Sequence, residues 1–67
     1  MSAPEVRPEA IMAFFKFEHL PEKLRGVSEP FCLLAQRMIE TLPPSAERSA
    51  GLRKLLEAKD CAVRASL

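Results

Sequence analysis

Four cations in the last third of the chain, Arg48, Arg53, Lys54 and Arg64, are the side chains best suited to chemistry. An arginine fork grips phosphate oxygens through parallel hydrogen bonds, and a lysine adds a point charge. The target that suits them is a small ligand carrying two or three negative charges. A purine on such a ligand stacks on an aromatic face. Phe17, flanked by Lys16 and His19, is the candidate platform if the core takes Phe14 instead. The same cations also have a plainer reading. Arg53, Glu57, Asp60 and Arg64 recur every three or four residues with alternating sign. That is the pattern of a solvated helix face, with Arg53–Glu57 and Asp60–Arg64 pairs worth about 0.2–0.5 kcal/mol each.

Catalysis has little to work with. A nucleophile needs a base and an orienting group beside it, yet the single histidine, His19, is distant in sequence from both Cys32 and Cys61. Only Gly26 and Gly51 are present, so there is no glycine-rich phosphate loop. One His and two separated Cys have no zinc-ligand spacing. These residues point to a binding protein rather than an enzyme, with no metal and no cofactor. Ten Lys plus Arg against nine Asp plus Glu leave a net charge of +1. A protein that neutralises many DNA phosphates carries a marked basic excess, so duplex DNA is not the expected partner. Nor is a membrane, since no apolar run approaches the ~20 residues a spanning helix requires. The first residues lack the apolar core of a secretory signal. The expected setting is cytoplasmic, with Cys32 and Cys61 reduced and packed as small hydrophobes.

The elements that must position these residues read as helices throughout. Residues 1–7 are expected to form a flexible N-terminus, and residues 8–67 a single helical-hairpin domain. Pro8-Glu9-Ala10 suits a helix start, and that first segment runs through Ile11, Met12, Ala13, Phe14, Phe15 and Phe17 to end before Pro21. Leu20 to Val27 reads as a connector with at most a turn or two of helix. Ser28 then caps a second helix, with Pro30 tolerated in its first turn. Phe31, Leu34, Ala35, Met38, Ile39 and Leu42 form its apolar stripe. Pro43-Pro44 ends that helix, and Ser45 caps the next. The inner face of the last helix is Leu52, Leu55, Leu56, Lys59, Ala62, Val63 and Ser66, with Lys59 extending along the seam. The fold class is therefore all-α, a short N-terminal helix followed by an antiparallel helical hairpin. A chain below roughly 70–80 residues gains only about 3–5 kcal/mol from one core, so it is expected to assemble as a compact homo-oligomer in which cations from several copies converge.

Phe15-Lys16-Phe17-Glu18-His19-Leu20-Pro21, Pro30-Phe31 leading to Leu34-Ala35, and the block from Leu42 to Arg64 resemble the phage anti-CBASS sponges. The helical hairpin domain of these proteins is shared with anti-Thoeris sponges. The resemblance covers about residues 14–65, and Glu47-Arg48-Ser49 to Ala62-Val63-Arg64 is its most specific part. It implies a homohexamer that captures cyclic dinucleotides and cyclic trinucleotides uncleaved in the infected bacterial host cell, starving host effectors of their signal. It also implies that the aromatic residue stacking a base falls on Phe17, where family members often carry tyrosine. A basic phosphate contact is implied near the start of the long helix, where this chain has Ser28-Glu29, so Lys23 or Arg25 must reach in, with His19 nearby. A second pocket around a threefold axis would use the last helix, with Arg64 foremost and Arg48 and Arg53 behind it. The reading from another class is a small helical adaptor that docks its Met12, Met38 and Phe-rich surface on a partner protein without binding nucleotides.

Overall fold

The computed structural model describes residues 8–67 and is helical, with no strand among them. The expected flexible segment 1–7 lies outside the described residues. A short helix α1 (Pro8–Met12) runs into a 3-10 turn (Ala13–Phe15), followed by two long helices, α2 (Glu22–Thr41) and α3 (Ala46–Ala65). Each long helix has 20 residues, hence a length of about 30 Å. Equal lengths and a short connection let them pack side by side as a hairpin. The turn follows the sequence expectation. Leu42 leaves the helical region at φ −110° and ψ 137° ahead of the two prolines. Ser45 then accepts a hydrogen bond from the Arg48 backbone N–H at 3.0 Å, which satisfies one of the free donors at the start of α3.

Two boundaries differ from expectation. The first segment stops being helical at Phe15, because Lys16 is extended at φ −60° and ψ 139°. A turn closed by Leu20 N–H donating to Phe17 C=O at 3.0 Å then leads to Pro21. The second difference is larger. No connector interrupts residues 22–30, and α2 passes unbroken through Gly26 and Pro30. Pro30 has no N–H for the Gly26 carbonyl, a defect that costs up to about 3 kcal/mol in a helix interior. Both residues are exposed, so water reaches the freed carbonyl. The opposite face supplies the compensation: Leu24, Val27, Ser28, Phe31, Cys32 and Ala35 follow helical spacing, and all are at least half-buried. Ser28 is thus a fully buried mid-helix residue rather than a cap, and its hydroxyl has no partner among the described residues.

The same register rotates α2 away from the expected stripe. Its buried line is Ser28, Cys32 and Ala35, while Leu34 and Leu42 are 47% and 44% exposed. Small side chains on this line leave space for Phe15 and Leu52, which are almost fully buried and form the core with Ile11, Cys32 and Ala35. Met12, Phe17, Phe31, Met38 and Leu55 pack around them. Every residue expected on the inner face of α3 is buried or half-buried. The radius of gyration is 12.7 Å, above the ~11 Å of a compact chain this long. The hairpin is elongated, which is why apolar residues such as Leu33 and Leu34 stay uncovered.

Gly26 tests the continuous helix directly. A Cβ built there meets nothing within 4 Å, and its φ is not positive. Alanine in an exposed helix interior is favoured over glycine by about 0.5–1 kcal/mol. Gly26→Ala is therefore expected to raise the unfolding free energy by that amount, read as a higher urea midpoint, whereas a glycine held at positive φ in a connector would lose stability on the same change. Gly51 is different, since a Cβ there would lie 3.1 Å from the Met38 methyl group across the α2–α3 seam.

Candidate functional site

The candidate site is a cleft of about 340 Å³ at the open end of the hairpin. One wall comes from the 3-10 turn and the bend after it, with Phe14, Lys16 and His19. The other comes from the last turns of α3, with Lys59, Asp60 and Arg64. Ala13, Leu20 and Val63 complete the lining with apolar surface. The volume lies at the small end of the roughly 300–1,000 Å³ typical of ligand pockets. It is room for one base and its phosphate.

Local backbone geometry explains why these side chains meet. Phe14 and Phe15 are neighbours in a tight turn and point in different directions; Phe15 is fully buried, which leaves Phe14 64% exposed at the cleft. The extended backbone at Lys16 turns the chain off the helix axis and brings His19 round to the same opening. On α3, Lys59 and Asp60 form an ion pair with Nζ and Oδ1 2.8 Å apart, and their side chains are 12% and 45% exposed. Lys59 thus lies along the seam as expected, with its charge delivered to the cleft. Arg64 donates from Nη2 to the Cys61 sulfur at 3.4 Å. The alternating face of α3 is therefore wired differently from the expected pattern. Asp60 bonds Lys59 rather than Arg64, and Arg53–Glu57 is not among the ion pairs of the described residues.

Three cations and one carboxylate leave the cleft two net positive charges, before any protonation of His19. An aromatic face beside that charge suits a planar, anionic ligand. Neither thiol lines the cleft. Cys61 is exposed on α3 and Cys32 is buried on α2, so only one of them packs as a core hydrophobe. Burial pushes the Cys32 thiol above its usual range, with the Glu18 and Glu29 carboxylates adding to the effect.

Of the residues expected to bind ligand, the structure brings His19 and Arg64 together at this cleft. Phe17 packs half-buried against the core instead. The condition attached to it, that the core take Phe14, is not met: the core takes Phe15, and Phe14 is the exposed ring. Lys23 and Arg25 are exposed in the first turns of α2 and do not line the cleft. Arg53 is exposed near the middle of α3, also outside it.

Arg48 has a different task from the expected phosphate contact. It is 7% exposed, and its Nη1 donates to the Leu42 carbonyl at 2.8 Å and the Ile39 carbonyl at 3.4 Å. Those are terminal acceptors of α2, so the guanidinium closes the helix end and neutralises its negative dipole. Sixteen positions along α3 separate Arg48 from Arg64, a distance of about 24 Å at 1.5 Å per residue. One copy of the chain does not gather both.

Sequence reasoning did not assign Phe14, Lys59 or Asp60 to a site. The available signal was the Phe14-Phe15 pair, since two adjacent residues on a helical turn cannot share one buried direction. Among the described residues, no helix is long and apolar enough to cross a membrane. Comparison with known proteins finds no matching family model, curated protein or solved structure.

Proposed function

We propose that this protein binds and sequesters cyclic dinucleotide or trinucleotide second messengers, as phage anti-CBASS sponges do, in the cytoplasm of an infected bacterial cell. The observation that carries the reading is the cleft, where the exposed Phe14 ring stands among Lys16, Lys59 and Arg64. Phe14 stacks a base there, and the cations meet the phosphodiesters. Of the expected set, this reading retains His19 and Arg64 and leaves out Phe17, Lys23, Arg25, Arg48 and Arg53. The two net positive charges of each cleft favour a phosphodiester. Because the cleft holds about one nucleotide, a second copy of the chain completes the site. The exposed Leu34 and Leu42 give copies an apolar surface to share, and a homohexamer is the assembly this reading implies.

Calorimetric titration with cyclic di- and trinucleotides, alongside measurement of particle mass, tests the proposal. The expected result is binding at a fixed fraction per subunit, ligand recovered intact, and a particle larger than one chain. A monomer that takes up no member of the panel would overturn it. That outcome would favour the adaptor reading, which the uncovered Leu33, Leu34 and Leu42 also support. Those leucines would then dock on a partner protein.

A further inference from the structure

Among the described residues, Asp60 is the only acidic one lining a cleft whose other charged residues are donors. Electrostatics alone would place no carboxylate in a phosphate site. Lys59 offsets the charge through Oδ1 and leaves Oδ2 without a partner among the described residues. An ionised carboxylate only accepts hydrogen bonds, and each oxygen has capacity for about two. Oδ1 therefore still has a free lone pair beside its lysine. The side chain is 45% exposed, open to a ligand and held in place by its partner.

Two acceptor oxygens in a cleft that also presents an aromatic ring fit one nucleobase edge better than the others. Guanine presents N1–H and the 2-amino group side by side as donors. Adenine presents its 6-amino group beside the N1 lone pair, and cytosine its 4-amino group beside the N3 lone pair. Uracil places a single N–H between two carbonyls. Against any of these three, at least one carboxylate oxygen faces another lone pair. A site built around such acceptors rejects ligands that leave them unmatched.

Resting on the sequestration reading above, we propose that Asp60 makes the cleft selective for guanine. Phe14 stacks the base, Asp60 accepts N1–H and one amino N–H from its Watson–Crick edge, and Lys16 and Arg64 meet the adjoining phosphate.

The test uses the full chain and its Asp60→Asn variant, titrated at one salt concentration with cyclic di-guanylate and cyclic di-adenylate. Thermal melts by circular dichroism confirm that both proteins fold. Wild type is expected to prefer the guanine ligand by about tenfold or more, the usual discrimination of a bidentate base contact. Asp60→Asn is expected to lose that preference, weakening guanine binding while adenine binding holds or improves, because an amide offers one donor and one acceptor. If Asp60 only tempers the positive charge, the variant will instead bind both ligands more tightly by the same factor. That result, or a wild type indifferent to the base, overturns guanine selection and leaves sequestration standing. No binding of any cyclic nucleotide by folded wild type overturns both.

Discussion

Replacing Arg48 with methionine is expected to cost about 2 kcal/mol of folding stability, through the loss of hydrogen bonds donated by its charged guanidinium and of a helix-end charge. The guanidinium joins the start of α3 to the end of α2 through the Leu42 and Ile39 carbonyls, at 2.8 and 3.4 Å. A hydrogen bond from a charged donor contributes about 1.5–3 kcal/mol. Two features hold the figure down. The contact to Ile39 is long, and Nε is already buried without a partner among the described residues, a defect that methionine removes. Two kcal/mol is still a large share of the ~3–5 kcal/mol available to so small a core. Urea denaturation at a fixed protein concentration reads the change as a lower midpoint with an unchanged slope. Arg48→Lys is expected to recover part of the loss, since an ammonium keeps the charge but not the fork. A variant that unfolds like wild type but no longer binds ligand would show that Arg48 serves the ligand instead of the turn.

Truncating the aromatic wall separates binding from folding in the opposite way. Phe14→Ala is expected to weaken cyclic-nucleotide binding by roughly 5–150-fold, the range for losing one base–aromatic stack. It should leave the melting temperature close to wild type, because the ring is 64% exposed. Arg64→Ala is expected to produce a loss of similar size, with a shallower dependence of affinity on salt as one phosphate contact disappears. Its guanidinium is exposed and bonded only to the Cys61 sulfur among the described residues, so folding loses little. Phe17→Ala gives the contrast. That ring packs on the buried cluster, and its removal is expected to lower stability by about 1–3 kcal/mol, less than a fully buried Phe→Ala change. Calorimetry and thermal melts on the three variants place each residue in the cleft or in the core. A Phe14→Ala protein that binds like wild type, beside a Phe17→Ala protein that folds but does not bind, would return the stacking role to Phe17.

The stacking question shows where sequence reading stops. That one phenylalanine is buried and another displayed follows from the 100° step between helical neighbours. Which one faces the core depends on where the first segment stops being helical, and the backbone leaves the helix at Lys16. The unbroken α2 has a similar origin. Pro30 and Gly26 are strong local signals for a boundary, each with a backbone reason. The helix persists because its opposite face, from Leu24 to Ala35, gains more from packing than the defect removes. Such a balance exists only once the packing partners are in place. Arg48 carries the same lesson in electrostatic form. An arginine in the first turn of a helix looks free to bind an anion, until the preceding helix delivers its terminal carbonyls to it.

By itself, the sequence determined the helical class, the Pro43-Pro44 turn with its Ser45 cap, and the inner face of α3. These depend on residues a few positions apart, where backbone sterics, one capping hydroxyl and the helical repeat act without help from the rest of the chain. Only the tertiary structure decided the rotation of α2, the burial of Arg48, and the meeting of Phe14, Lys16 and His19 with Lys59, Asp60 and Arg64. More than forty positions separate His19 from Arg64 along the chain, and they meet because the hairpin folds α3 back toward the bend ahead of α2. Their proximity is a property of helix packing, which no local spacing encodes.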